Sequence, residues 1–287
     1  MPRTWQRWST APSPTCWSNR MNTDLSLIFK NLGIVGLDLL VIPFVFVALL
    51  TYLNRDTKRF LANGFGVNSE LYLGFIGIFC HELSHLLAAL LFGHRIEQVR
   101  LLKRPHPQQR GRDGQPDLSL GYVNHTWNQR NWYQTTGNLF IGVAPIFGCA
   151  AVLLGLTAVL IPSWFQGMLT LIANPFALDW AGFFGALGGD PHPWVRWPIM
   201  ILLSLNLSIG GFDLSAADFA NSRIGLIGFI TIVVTLTVVL TLFNVASGFL
   251  RFLTAAIILL AVVLGYALVI SLLTNLVVRL ALQIKEH

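Results

Sequence analysis

One short stretch of the chain carries side chains whose types and spacing can bind a metal ion: His81, Glu82, Leu83, Ser84 and His85. On a helix, residues four apart lie on one face, so both imidazoles can reach a single zinc ion. Glu82 lies beside them and can take a proton from a water whose pKa the zinc lowers to about 7. This HExxH pattern predicts a zinc site at which Glu82 activates water and later protonates a leaving amine.

Chance could also produce the motif, because a lone HExxH is only a moderate signal in a soluble chain. Here the motif lies about midway along the apolar stretch 71–92. Two histidines and a glutamate are costly in hydrocarbon, and such residues usually mark function. A purely structural role would require the three side chains to satisfy one another or a neighbouring helix. The apolar setting therefore favours the metal site.

A catalytic zinc site needs a third protein ligand and one open position. Two aspartates, Asp213 and Asp218, follow the apolar stretch 198–212. Either carboxylate could approach the zinc if that stretch packs against 71–92. Each could instead be a solvated, idle residue of a short connection, and for Asp213 this interpretation is favoured. The spacing alone leaves both aspartates open as the third ligand.

The composition of the chain indicates a membrane protein, so the elements that position the predicted ligands are expected to lie in a bilayer. Of the 287 residues, 54% are hydrophobic and 11% are charged, whereas soluble domains carry about 25% charged residues. The net charge of +6 does not indicate nucleic-acid binding, because the basic residues do not form one dense run. The three cysteines are isolated and indicate neither a disulfide framework nor a thiolate metal site.

A helix needs about 20 apolar residues to cross the hydrocarbon core. Six stretches predict such spans: 32–53, 71–92, 137–162, 198–212, 224–243 and 252–276. We therefore expect an all-α polytopic membrane protein with about six transmembrane helices. Residues 1–30 are expected to form an N-terminal extension that is disordered in part. Residues 31–287 would form a single integral membrane domain, with the metal site in a core at 71–223.

The loop 93–136 has a pattern of its own. Its segments 95–103 and 118–127 have strand-like composition, and the stretch between them is polar and rich in proline and glycine. This pattern predicts a small β-hairpin with a long turn. A disordered basic loop is the alternative.

Basic residues predict the orientation of the chain. The loop 93–136 holds seven of them, whereas 163–197 holds only Arg196. The first loop should be cytoplasmic and the second external, so that six spans place both termini and the connection after the fourth span in the cytoplasm. The expected loop 54–70 disagrees mildly, because its Arg55, Lys58 and Arg59 would lie outside.

Two asparagines and three tryptophans near the spans could have functional or structural roles. Asn138 and Asn206 could hydrogen-bond a substrate backbone or orient a ligand, or they could tie helices together for about 1 kcal/mol each. Trp164, Trp180 and Trp194 lie among apolar residues in 163–195, a pattern typical of an interfacial segment.

The order of these features resembles the site-2 protease family of intramembrane zinc metalloproteases. That family has a HExxH helix, a second core helix, and a third core helix that ends near a ligand aspartate, often in an Asn-Pro-Leu-Asp-Gly sequence. This chain has Asn-Leu-Ser-Ile-Gly-Gly at 206–211 and Ser-Ala-Ala-Asp at 215–218. The second sequence resembles a bacterial branch of the family in which Ser-x-x-Asp replaces Leu-Asp-Gly.

The resemblance covers roughly 71–223, and includes GYVNH at 121–125 and GNLFIGVAPIFG at 137–148. It does not cover the first span or the last two. It implies that His81, His85 and Asp218 bind Zn²⁺, with Glu82 as the catalytic residue and Asp213 without a ligand role.

The function that the resemblance implies is hydrolysis of peptide bonds in membrane-embedded or membrane-proximal substrates. The expected partners are a membrane-protein substrate and the lipid bilayer, without nucleic acid, and the expected location is the cell membrane. A substrate helix would have to unwind before attack, and an extended substrate could add as a strand to the hairpin.

Two rival functions stay open. A non-catalytic membrane transporter or scaffold could retain the HExxH metal site, and it would tolerate Glu82→Gln. A membrane protease that acts on soluble substrates would need a downstream glutamate ligand. The chain has no glutamate between Glu97 and Glu286, which counts against this second rival.

Overall fold

The computed structural model describes residues 14–110 and 116–286, and it describes side chains within 25–285 except around the turn of the hairpin. Part of the N-terminal extension that was expected to be disordered, residues 1–13, lies outside the described residues. The rest of that extension, from residue 14 onwards, belongs to the first helix.

Helices dominate the described part of the chain. In chain order they are α1 (Pro14–Gly36), α2 (Ile42–Phe65), α3 (Ser69–Leu73), α4 (Phe75–Leu91), α5 (Trp132–Leu160), α6 (Pro162–Ala173), α7 (Trp180–Gly185), α8 (Pro193–Gly211), α9 (Ala216–Leu242) and α10 (Ala246–Glu286). A π-helical turn, Leu37–Val41, joins α1 to α2 without a break, and a 3₁₀ turn, Ala186–Gly188, follows α7.

Four helical segments are long and apolar enough to cross a membrane. They are Leu25–Phe65, Trp132–Leu160, Ala216–Leu242 and Ala246–Lys285. Each overlaps a predicted span, at 32–53, 137–162, 224–243 and 252–276 respectively. The chain is therefore an all-α membrane protein, as the composition predicts.

The count of six spans is not confirmed. The predicted span 71–92 becomes α4, which has 17 residues and is therefore about 26 Å long, shorter than the hydrocarbon core of about 30 Å. The predicted span 198–212 belongs to α8, which begins earlier, at Pro193, and carries Arg196 in its first turn. Both helices are apolar, but neither is among the four long apolar segments in the described chain.

The predicted hairpin is confirmed. Strand β1 (Arg95–Arg100) pairs antiparallel with β4 (Tyr122–Thr126), with Arg95 opposite Thr126 and Arg100 opposite Tyr122. A bulge falls between Ile96 and Gln98. Two further short strands, β2 (His106–Arg110) and β3 (Pro116–Asp117), pair within the connection.

Two details of the predicted membrane arrangement require correction. Residues 54–65, expected in a loop, continue α2. Arg55 in this segment was expected outside, yet its Nε lies 3.1 Å from Oδ1 of Asp213, which was expected on the cytoplasmic side. The two placements cannot both hold, so the orientation of the chain stays a prediction.

The predicted interfacial segment is also corrected in part. Trp164 on α6 is buried, with its ring packed against those of Phe183 and Tyr266, so it is a core residue and not an interfacial anchor. Trp180 and Trp194 are exposed.

Close helix packing surrounds the HExxH motif. Helix α4 packs on α8 through glycine: a Cβ at Gly77 would lie 2.7 Å from the backbone N of Gly211 and the carbonyl O of Leu207. Helix α5 passes between α4 and α9. A Cβ at Gly148 would collide with Ser84, and one at Gly142 would lie 2.4 Å from the carbonyl O of Asp218. Helix α8 thus meets α4, and α9 meets α5, at backbone distance where the predicted ligands lie.

Candidate metal centre

The two histidines of the HExxH motif share one buried face of α4. His81 and His85 are 9% and 7% exposed. Their Nε2 atoms lie 3.1 Å apart, which the four-residue spacing on a helix allows. Both rings therefore present a nitrogen to the same point.

Asp218 completes the cluster from the first turn of α9. Its Oδ1 lies 3.1 Å from Nε2 of His85, and its Oδ2 lies 3.9 Å from Nε2 of His81. The three residues form the one group of three or more His, Cys, Asp or Glu side chains in the described chain that could hold a metal ion, with ligand atoms within 4.8 Å of one another. The structure thus brings together the three residues predicted as ligands.

Hydrogen bonds to backbone carbonyls determine which ring nitrogen each histidine offers. His81 Nδ1 lies 3.0 Å from the carbonyl O of Gly211, and His85 Nδ1 lies 2.8 Å from that of Ile141. A carbonyl oxygen only accepts, so each Nδ1 carries a hydrogen and donates it. In the neutral tautomer each Nε2 then carries a lone pair, which is the form that binds metal.

Both carbonyls are free because a helix is interrupted at that point. Pro145 lies inside α5 and has no N–H to bond the carbonyl four residues earlier, which is that of Ile141. Gly211 is the last residue of α8, where carbonyls lack an intrahelical donor. The two acceptors that orient the histidines are therefore encoded by a proline and a helix end.

The Ser-Ala-Ala-Asp sequence serves as a helix cap that also orients the third ligand. Ser215 Oγ accepts from the backbone N–H of Asp218, and Asp218 Oδ2 accepts from the backbone N–H of Ser215 at 2.6 Å. This reciprocal capping box begins α9. The helix N-terminus also favours the negative charge of the carboxylate.

Asp213, the alternative third ligand, is not brought to the histidines. Its carboxylate faces α2, where Oδ1 lies 3.1 Å from Arg55 Nε and Oδ2 lies 3.3 Å from Lys58 Nζ. It is absent from the cluster of possible metal ligands in the described chain. The geometry thus distinguishes two aspartates that spacing could not.

Glu82 lies beside the cluster with its carboxylate available. The side chain is half-buried and has no hydrogen bond or ion pair with any described residue. Gly121 approaches it from the hairpin: a Cβ there would lie 2.5 Å from Glu82 Cγ and 2.9 Å from the carbonyl O of Arg100. Only a glycine allows this approach. The sequence analysis did not single out Gly121, although a glycine inside a predicted strand segment can signal close approach of another group.

A second histidine pair, which the sequence analysis missed, attaches the hairpin to the helices. His94 Nε2 donates to the carbonyl O of Gln134 at 2.9 Å, and His94 Nδ1 lies 3.0 Å from His125 Nδ1. The ring of Trp127 stacks on His94. Burial lowers the pKa of His94, and burial together with the neighbouring His94 lowers the pKa of His125 to about 4. Nothing in the spacing of these residues signalled their contact.

The two asparagines differ in role. Asn206 on α8 accepts from the backbone N–H groups of Ile76 and Gly77 through Oδ1, at 2.8 and 3.4 Å, so it ties α8 to the first turn of α4. Asn138 is fully buried in α5, where Nδ2 donates to its own helix and Oδ1 has no hydrogen-bond partner among described residues.

The donor set fits zinc. Two imidazole nitrogens and one carboxylate oxygen make three protein ligands, the number found in catalytic zinc sites that keep a fourth position for water or substrate. Each histidine also has the second hydrogen bond that metal-binding histidines commonly make.

Comparisons with known proteins leave the family unassigned. No protein-family model, no curated protein and no solved structure matches the chain.

Proposed function

We propose that this chain is an intramembrane zinc metalloprotease that hydrolyses peptide bonds of membrane-embedded or membrane-proximal substrates. The observation that carries the proposal is the convergence of His81 Nε2, His85 Nε2 and the Asp218 carboxylate next to an unpaired Glu82. Bound zinc would supply a Lewis acid that polarises the scissile carbonyl and acidifies water.

Glu82 is the proposed general base and acid. Because its carboxylate has no partner among the described residues, it is free to accept a proton from the attacking water and return it to the leaving amine. His81 and His85 cannot replace Glu82 in proton transfer. Each holds its Nδ1 hydrogen on a backbone carbonyl and offers its Nε2 to the proposed zinc.

The surroundings support a substrate from the membrane. Helix α5 and helix α9, which contact the cluster, are both long enough to cross a bilayer. The hairpin reaches Glu82 through Gly121, so a substrate strand added to the hairpin would pass close to the general base. A locally unwound segment of a membrane protein fits this arrangement.

The test separates metal binding from hydrolysis. We expect the purified full chain to contain one zinc, and His81→Ala, His85→Ala and Asp218→Ala to lose it. Glu82→Gln should retain the zinc but lose hydrolysis by roughly 10²-fold or more, because it removes the proton acceptor. Zinc is measured by elemental analysis of each variant.

Hydrolysis is measured with a library of single transmembrane segments, each placed between two soluble tags and co-expressed with the chain. Fusions cleaved by the wild type and intact with Glu82→Gln support the proposal. Zinc in the wild type without cleavage of any fusion would favour the transporter or scaffold. Equal zinc in wild type and ligand variants would contradict the metal site itself.

A further inference from the structure

The connection between α8 and α9 is short and is bonded at both ends to the metal cluster. At its start, the carbonyl O of Gly211 accepts from His81 Nδ1 at 3.0 Å. At its end, Ser215 forms the capping box that orients Asp218. Any displacement of residues 212–215 therefore moves the hydrogen-bond acceptor of one ligand and the carboxylate of another.

The middle of this connection is held by α2. Arg55 Nε lies 3.1 Å from Asp213 Oδ1, and a second nitrogen of the same guanidinium donates to the carbonyl O of Leu214. Lys58 Nζ lies 3.3 Å from Asp213 Oδ2 and 2.7 Å from Glu70 on α3. We call Arg55, Lys58 and Asp213 the clamp.

The clamp lies in surroundings where an unpaired charge would be costly. The side chains of Lys58 and Asp213 are 22% and 14% exposed, and α2 belongs to one of the long apolar helices. Unpaired charges in such surroundings are costly, whereas two cations and two carboxylates balance. Phe212 and Leu214, on either side of Asp213, are fully buried, so the backbone of the connection is enclosed.

We propose that the clamp positions the metal site: Arg55 and Lys58, through Asp213, hold the connection where Gly211 meets His81 and Asp218 meets both histidines. Asp213 is then a positioning residue that never touches the metal. This inference rests on the metal site of the proposed function, but not on peptide hydrolysis.

The expected effect is a weaker metal site rather than an absent one. Loss of a hydrogen-bonding partner behind a metal ligand typically weakens metal binding about 10- to 100-fold. We expect Asp213→Ala and Arg55→Ala each to weaken zinc binding about tenfold. Asp213→Glu keeps the charge and should recover most of the affinity. Asp218→Ala removes a ligand and should weaken binding far more.

The experiment uses the full chain in detergent. Zinc affinity is measured by competition with a chelator, and the visible spectrum of the Co²⁺-substituted protein reports the geometry of the ligands. Arg279→Ala is the matched control, because Arg279 and Asp56 form an ion pair between α2 and α10 that does not touch the connection. The side chains of Arg279 and Asp56 are 48% and 23% exposed, close to the 44% and 14% of Arg55 and Asp213.

The double variant Arg55→Ala/Asp213→Ala tests whether the two residues act as one unit. If they do, the zinc affinity of the double variant should be about that of the single variant with the lower affinity, because both changes break the same contact. The Co²⁺ spectrum of each clamp variant should differ from that of the wild type, while that of Arg279→Ala should not.

Several outcomes would overturn the inference. One is zinc affinity like that of the wild type in both single clamp variants. A second is a loss of affinity in the double variant that equals the product of the two single losses. A third is an equal loss of affinity in Arg279→Ala, which would indicate general destabilisation. A chain that binds zinc and shows the expected pattern but cleaves no fusion supports the clamp while the proposed protease function fails. A wild type without zinc overturns both.

Discussion

At the scale of single residues, one ring nitrogen from each of two histidines lies close enough to the other for both to share one cation. His81 and His85 each donate an Nδ1 hydrogen to a backbone carbonyl, and their Nε2 atoms lie 3.1 Å apart. Two lone pairs at this distance repel each other unless a cation lies near them. The carboxylate of Asp218 adds negative charge on the same side, which favours a cation shared by the three side chains.

Pro145 is the residue whose contribution is easiest to isolate. Pro145→Ala adds an N–H that can bond the carbonyl O of Ile141, which His85 Nδ1 now occupies. We expect zinc affinity to fall about tenfold. The thermal stability of the chain should not fall, because a proline inside a helix costs about 3 kcal/mol. Chelator competition and thermal unfolding measure the two effects.

Pro198 provides the control for this prediction. It also lies inside a helix, α8, but the carbonyl four residues earlier, that of Trp194, bonds neither histidine. Pro198→Ala should therefore leave zinc affinity unchanged. An unchanged affinity in Pro145→Ala would show that the freed carbonyl does not orient His85.

At the scale of elements, the hairpin is held to the helices by neutral histidines. His94 and His125 lie between β1, β4 and the first turn of α5, and Glu97 on β1 is the acidic side chain whose charge acts on His125. Because the attached hairpin lowers the pKa of both histidines, it binds fewer protons than a detached one. Attachment is therefore fully favoured above a pH of about 6.5, the ordinary value for histidine.

Acidification should loosen the hairpin. As the pH falls from about 6.5 towards the pKa of about 4 for His125, protonation should favour the detached state. Hydrogen exchange of the backbone amides in 95–126, corrected for its intrinsic pH dependence, measures this change. The dependence should weaken in His125→Asn, where only His94 remains to be protonated, and persist in full in His106→Asn, which alters an exposed histidine of the same loop. Equal protection at both ends of the range would contradict the prediction.

At the scale of the whole molecule, the arrangement in the membrane is set by the four long helices and by which side each loop faces. The structure describes the four helices, whereas the side stays a prediction from the basic residues of 93–136. The contact between Arg55 and Asp213 shows that charge counting misplaced one of these two residues. Packing between helices can bring basic residues to acidic partners regardless of the loop rule.

Single cysteines can test the orientation. In a chain whose other cysteines are replaced by serine, Arg110→Cys should react with a membrane-impermeant label only after the cells are permeabilised. Gly185→Cys, at a position where an added Cβ meets no other atom within 4 Å, should react in intact cells. Labelling of position 110 in intact cells would reverse the orientation.

Local patterns determined much of this protein. The apolar stretches predicted the four long helices, the strand-like segments predicted the pairing of β1 with β4, and the four-residue spacing placed His81 and His85 on one face. These features depend on residues close together in the chain, where periodicity and turn chemistry are informative. The resemblance to a known family, rather than any spacing, singled out Asp218.

Only the tertiary structure decided what lies between distant segments. His85 meets a carbonyl 56 residues away, which Pro145 frees, and Asp213 is held by an arginine 158 residues away, which removes it from the metal cluster. His94 and His125 meet across 31 residues. Such contacts depend on how helices pack through small residues such as Gly77 and Gly148. Periodicity along the chain carries no information about which helix faces will meet.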